Sequence, residues 1–162
     1  MLLFWSICSS SQIQKRFWGF TLGQSTKTEV TNYFKGKGNR VRVLDENTVA
    51  VNDVRFGGQT WGVARLQFYK NKLYIISFMS SEHDYSKENL DMIWDILGES
   101  LKKKYSRYYL TYFSKEFDKW FDDDRTRIWF RYEYFQDAWA LSILYYDIKL
   151  YDEKSDKEEN EL

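Results

Sequence analysis

Proline is absent from this 162-residue chain, cysteine and histidine occur once each, and glycine occurs only eight times. Each shortage removes a class of protein. A disulfide scaffold needs paired cysteines, and a Cys/His zinc site needs several such ligands. Collagen-like and low-complexity chains need far more Gly and Pro. No apolar run approaches the roughly 18 residues of a membrane span. Lys and Arg total 24, as do Asp and Glu, so the strongly basic balance of a nucleic-acid binder is lacking. Without proline, turns fall to Gly, Asn and Asp.

What the chain has in excess is rings: 7 Trp, 13 Tyr and 12 Phe, or 20% of all residues. They supply large side chains for the core of one domain. Tyrosine is the commonest, and its hydroxyl wants a partner or water. Some rings therefore belong at the core's edge or on a wetted sheet face.

The charges are unevenly spread. From Asp152 to Leu162 there are six acids and two bases, net −4, which leaves +4 for the preceding body. With little but Leu162 to bury, residues 152–162 read as a disordered acidic tail. At the other end, Leu2, Leu3, Phe4, Trp5 and Ile7 form a short apolar run before Cys8 and Ser9-Ser10-Ser11. An apolar stretch with a Ser-rich exit and no basic start reads as an export signal whose first residues are missing, over residues 1–14. The alternatives are a lipoprotein joined through Cys8, although Ile7 is large for that motif, and an ordinary apolar segment. Residues 15–151 remain as a single domain.

Within that domain, Thr26 and Glu29 have capping-box spacing, and Val30, Tyr33 and Phe34 make one apolar stripe before Gly36 and Gly38. From Arg40 to Met79 the period is two, with turns at Asp45–Asn47, Gly57-Gly58 and Lys70–Lys72. This predicts a meander of three or four strands, with a bulge between Val63 and Leu66. Ser86 starts the clearest helix, whose face is Leu90, Ile93, Trp94, Leu97 and Leu101 and whose last turn holds Lys102–Lys104. Tyr108–Phe113 is β-prone, and Ser114–Asp124 has no clear pattern. Thr126–Phe135 and Ala138–Tyr151 form a hairpin about Gln136-Asp137. In its first arm Ile128, Phe130, Tyr132 and Tyr134 face one way, and Trp129, Arg131 and Glu133 the other. The fold class is α+β: an antiparallel sheet of about six to seven strands with two helices packed on one face. The order also suggests two half-units, each a helix followed by strands.

The stretch Phe17-Trp18-Gly19-Phe20-Thr21-Leu22-Gly23-Gln24-Ser25-Thr26 through Val30 resembles the opening of many small exported bacterial domains. A similar helix start opens the small lipoproteins of outer-membrane assembly and the β-lactamase-inhibitory-protein fold. Val54–Trp61 and Leu66–Tyr74, glycine turns leading into aromatic strands, are similar to the same exported families. The resemblance implies a helix-on-antiparallel-sheet domain located outside the cytoplasm that acts by binding other proteins. It carries no catalytic residues.

No catalytic set stands out. His83 lies in the polar loop Ser81–Asp84 and reads as exposed, and Asp122–Asp124 lacks the ligand spacing of a calcium loop. No cofactor or metal is called for. The candidate binding residues are Trp129, Arg131, Trp139, Tyr145 and Tyr151, on or beside the outer face of the final hairpin, because rings and Arg dominate binding hot spots. They suit a protein or carbohydrate partner. The competing reading is that these rings simply complete the core. The expectation is thus a non-catalytic exported binding domain. The rivals are a hydrolase or sugar-acting enzyme using a carboxylate pair, and a cytoplasmic domain whose apolar N-terminus is a native strand.

Overall fold

The structure, a computed structural model, describes residues 12–111 and 116–160. The apolar run Leu2–Ile7, Cys8 and the end of the stretch Tyr108–Phe113 lie outside the described residues. The chain opens with a two-stranded ribbon, β1 (Arg16–Phe17) and β2 (Phe20–Thr21). Its turn is Trp18-Gly19, with φ of 47° and 97°. A two-residue hairpin turn demands this left-handed pair, which is why glycine stands at the second position.

Helix α1 (Lys27–Gly36) carries the full capping box. The Glu29 N–H donates to Thr26 Oγ1, and the Thr26 N–H donates to the Glu29 carboxylate at 2.7 Å. Those bonds from Thr26 hold the Glu29 carboxyl below the usual carboxylate range. Four strands follow, β3 (Val41–Asp45), β4 (Thr48–Phe56), β5 (Gln59–Tyr69) and β6 (Lys72–Ser81). Helix α2 (Lys87–Lys104) is capped by Ser86, which accepts the Asn89 N–H. A 3₁₀ turn at Ser106–Tyr108 leads towards β7 (Asp118–Asp122), β8 (Thr126–Phe135) and β9 (Ala138–Asp147), and the chain continues in α3 (Ile148–Asn160).

The seven longer strands form one antiparallel sheet in the order β3-β4-β5-β6-β9-β8-β7. This is the predicted α+β class. Each half is a helix followed by a meander, and the last strands of the two meanders, β6 and β9, pair in the middle. The buried residues of α1 (Val30, Phe34) and α2 (Leu90, Ile93, Trp94, Leu101) share one core with the inward side chains of the sheet.

At the centre of that core Phe56 stacks on Phe78 at 4.3 Å, and Phe17 of the ribbon meets Tyr145 of β9 edge-on at 4.8 Å. Trp18 packs 5.6 Å from Phe78 and 5.2 Å from Phe34. Ile13, assigned by sequence to the leading segment, is also buried in this core, so the domain starts earlier than residue 15.

Three local expectations change. The slip in apolar phase falls earlier than Val63–Leu66, since Trp61 and Ala64 both enter the core opposite Val54 and Val51. No bulge accompanies it: the β4–β5 register runs unshifted past Asp53, whose φ is 54°, and the irregularity of β5 lies at Gln67/Phe68 against β6. Tyr108 closes a 3₁₀ turn, and Tyr109 makes a single bridge to Phe121 in place of a strand.

The third change is at the C-terminal end. Strand β9 stops at Asp147, and residues 148–160 are helical where a strand to Tyr151 and a disordered tail were expected. Asp147 supplies the reason. Its buried carboxylate accepts the Leu150 N–H at 3.1 Å, a helix-start cap, and pairs with Lys15 at 2.7 Å. Leu150 then packs on Tyr74 and Ile75, and Lys70 bonds Glu153 at 2.9 Å. This side of the sheet is opposite the main core, so α3 covers part of the otherwise open face.

Gly23 makes the Asp147 arrangement possible. Its φ is 80°, and a Cβ there would lie 2.5 Å from Asp147 Oδ2. Gly23→Ala is expected to lower stability by about 2–3 kcal/mol in urea unfolding, from backbone strain and displacement of a buried carboxylate. An unchanged midpoint would contradict the close approach.

Candidate functional site: an aromatic shelf on the open sheet face

Strand alternation puts Asp118, Trp120 and Asp122 of β7 on the open face, and their cross-strand partners in β8 are Arg131, Trp129 and Arg127. The sequence Asp-x-Trp-x-Asp thus lies against Arg-x-Trp-x-Arg. The two indoles stack at 4.7 Å with planes 15° apart. On one side Arg131 lies over the Trp129 ring, 4.5 Å from its centroid. Asp118 accepts the Trp129 Nε1–H at 2.8 Å and is 3.9 Å from the Arg131 guanidinium, which also pairs with Glu133. On the other side Arg127 grips Asp122 Oδ2 through Nε and an Nη at 2.9 and 2.7 Å.

These bonds fix the rotamers of both charged side chains and orient the indoles. The rings therefore form a preorganised stack rather than loose surface aromatics. Tyr146 of β9 and Tyr151 of α3 extend it, meeting edge-on at 5.3 Å. A shallow cleft of about 80 Å³ runs between Trp120, Trp129, Tyr146 and Tyr151, with Arg127 and Ile148 on its rim. Burial pushes the Tyr146 hydroxyl well above the usual tyrosine range, so it stays neutral.

Of the five sequence candidates, Trp129, Arg131 and Tyr151 come together here. Tyr145 does not: it is opposite Ile128, 3% exposed, and belongs to the core with Phe17. Trp139 is also on the helix side, opposite Tyr134. There it sits among Phe117, Tyr132 and Tyr134, with the Lys87 ammonium 5.2 Å from its ring centroid. Trp120, Arg127 and Tyr146 were missed. The signal for them was the complementary pair of pentapeptides, 118–122 and 127–131, joined by a short polar turn.

His83 is exposed in the turn between β6 and α2. Asp122 and Asp123 accept backbone N–H groups of Asp124, Arg125 and Thr126, which builds the β7–β8 turn. Among the described residues no three His, Cys, Asp or Glu side chains converge as a metal site, and no helix is long and apolar enough to cross a membrane. Compared with protein-family models, curated proteins and solved structures, the chain matches none.

The residue between the outward Asp118 and Trp120 points the other way. Lys119 is 8% exposed, and its ammonium lies 3.3 Å from the centroid of Trp94 in α2. Gly98 leaves room for its stem: a Cβ there would be 3.1 Å from Lys119 Cε. Burial, with a smaller contribution from Lys102, lowers the ammonium pKa from 10.5 to about 8, against the opposing fields of Glu99 and Asp95. Between those two values the unfolded chain holds more protons than the folded one, so stability rises with pH across this window and is lost as pH falls through 8. The buried tyrosines act oppositely at higher pH but are common to both proteins in a paired comparison. Wild type is therefore expected to gain stability over Lys119→Met as pH is raised from 8 to 10.5. Parallel denaturation profiles for the two would contradict the buried ammonium.

Proposed function

We propose that this chain is a non-enzymatic, exported domain that binds a protein partner through the shelf formed by Trp120, Trp129, Arg131, Tyr146 and Tyr151. The observation that carries the reading is the stacked Trp120–Trp129 pair with Arg131 laid over Trp129, on the face of the sheet opposite the main core. Trp, Tyr and Arg supply most of the energy in protein interfaces, and a rigid platform loses little entropy on binding. The non-enzymatic part of the reading rests on the resemblance, which carries no catalytic residues.

Export rests on the apolar and Ser-rich residues 2–11 and on the resemblance to exported bacterial domains, whose implied helix-on-sheet architecture is compatible with this fold. The native protein is expected outside the cytoplasm with a mature N-terminus lacking Met1. Terminal sequencing of an intact chain from the cytosol would refute this.

Trp129→Ala and Arg131→Ala are each expected to weaken capture of the partner by on the order of 2 kcal/mol, about thirtyfold. Arg65→Ala, exposed on β5, serves as the unaffected control. If captured partners survive both shelf substitutions, the interface lies elsewhere. Binding to a glycan array in place of a protein would assign the shelf to carbohydrate.

A further inference from the structure

Around the start of α3 lies a second concavity, of about 610 Å³, separate from the shelf. Five cations line it, from four stretches of chain: Lys15 before β1, Lys70 and Lys72 at the β5–β6 hairpin, Arg125 in the β7–β8 turn and Lys149 in α3. Its acids are Asp124, Asp147 and Glu153. Two of these are already committed. Asp147 takes Lys15 and the Leu150 N–H, and Glu153 takes Lys70. Glu153 is held in its charged form first by the Lys70 hydrogen bond and then by the fields of Lys149 and Lys72. Lys72, Arg125 and Lys149 make no ion pair among the described residues.

The cavity's size falls within the roughly 300–1,000 Å³ of small-molecule sites. Its surplus is of positive charge, carried mainly by lysines, which serve phosphate as point charges. Five cations against three acids leave a surplus of two, so one monocarboxylate would neutralise only half of it, whereas a phosphate group carrying two charges matches it. We propose that this cavity binds a small phosphorylated ligand, whose phosphate oxygens are received by Lys72, Arg125 and Lys149. The site is independent of the shelf: Ile148 and Tyr151 line the shelf's cleft, whereas Lys149 and Leu150 line the cavity.

The test is calorimetric titration of the full chain with inorganic pyrophosphate, with citrate as the polycarboxylate comparison. Wild type should show saturable one-to-one binding, and Lys72→Gln/Lys149→Gln should weaken it about tenfold or more. Both lysines are exposed, and unchanged circular dichroism and Tm establish that the variant folds. Arg125→Gln provides a second, independent loss. Trp129→Ala should bind pyrophosphate as wild type does, whether or not the shelf binds a protein. No saturation at millimolar pyrophosphate, equal affinity in the lysine variant, loss of binding in Trp129→Ala, or citrate binding as tightly as pyrophosphate would each overturn the proposal.

Discussion

Four rings hold this molecule together. Phe17 comes from the ribbon, Phe56 and Phe78 from the first meander, and Tyr145 from the second, and all four meet beneath the centre of the sheet. Each tilted or stacked pair adds about 0.5–1.5 kcal/mol beyond the area it buries. More important is their connectivity. Among the described residues the β6–β9 pairing, extended by the bond from the Glu82 N–H to the Trp139 carbonyl, joins the backbones of the two halves, and the rings clamp that seam from below. In a chain with no proline to stiffen its turns, packing and pairing at the seam carry this load.

How much of this was legible depends on which residues carried the signal. Both main helices were, because Thr26/Glu29 and Ser86 are local caps whose partners lie three residues away. Strand β8 was legible because its alternation is unbroken. Strand β7 was not: its outward positions are Asp, Trp and Asp, and its inward set includes Lys119, a charge where an apolar residue is the rule. Its identity emerges only from the partner strand, whose Arg-Trp-Arg it complements. The helix α3 was missed because the acidic composition from Asp152 onward outweighed two residues just before it, the cap Asp147 and the anchor Leu150.

The site was half legible for a reason of parity. A two-residue turn at Gln136-Asp137, both with positive φ, pairs Phe135 with Ala138. That register forces Ile128 opposite Tyr145 and Trp129 opposite Leu144. Grouping Trp129, Trp139 and Tyr145 by ring type set aside this count, which places the last two on the helix side with Leu141 and Ile143. Chemistry nominates residues for a surface, but register decides which side of the sheet they reach.

The ladder of Asp-Trp-Asp against Arg-Trp-Arg has a directional property of its own. Acids lie along one strand and bases along the other, so its charge is polarised across the strands. Along them it is a near mirror image about the indole pair. A ligand crossing the strands is therefore oriented by the field, while one lying parallel to them meets the same pattern in either direction. Its polarity must come from what differs at the two ends, Glu133 beside Arg131 at one and the Tyr146–Tyr151 corner under α3 at the other. The C-terminal helix, through Tyr151, thus adds to an asymmetry that Glu133 and Tyr146 already give the sheet.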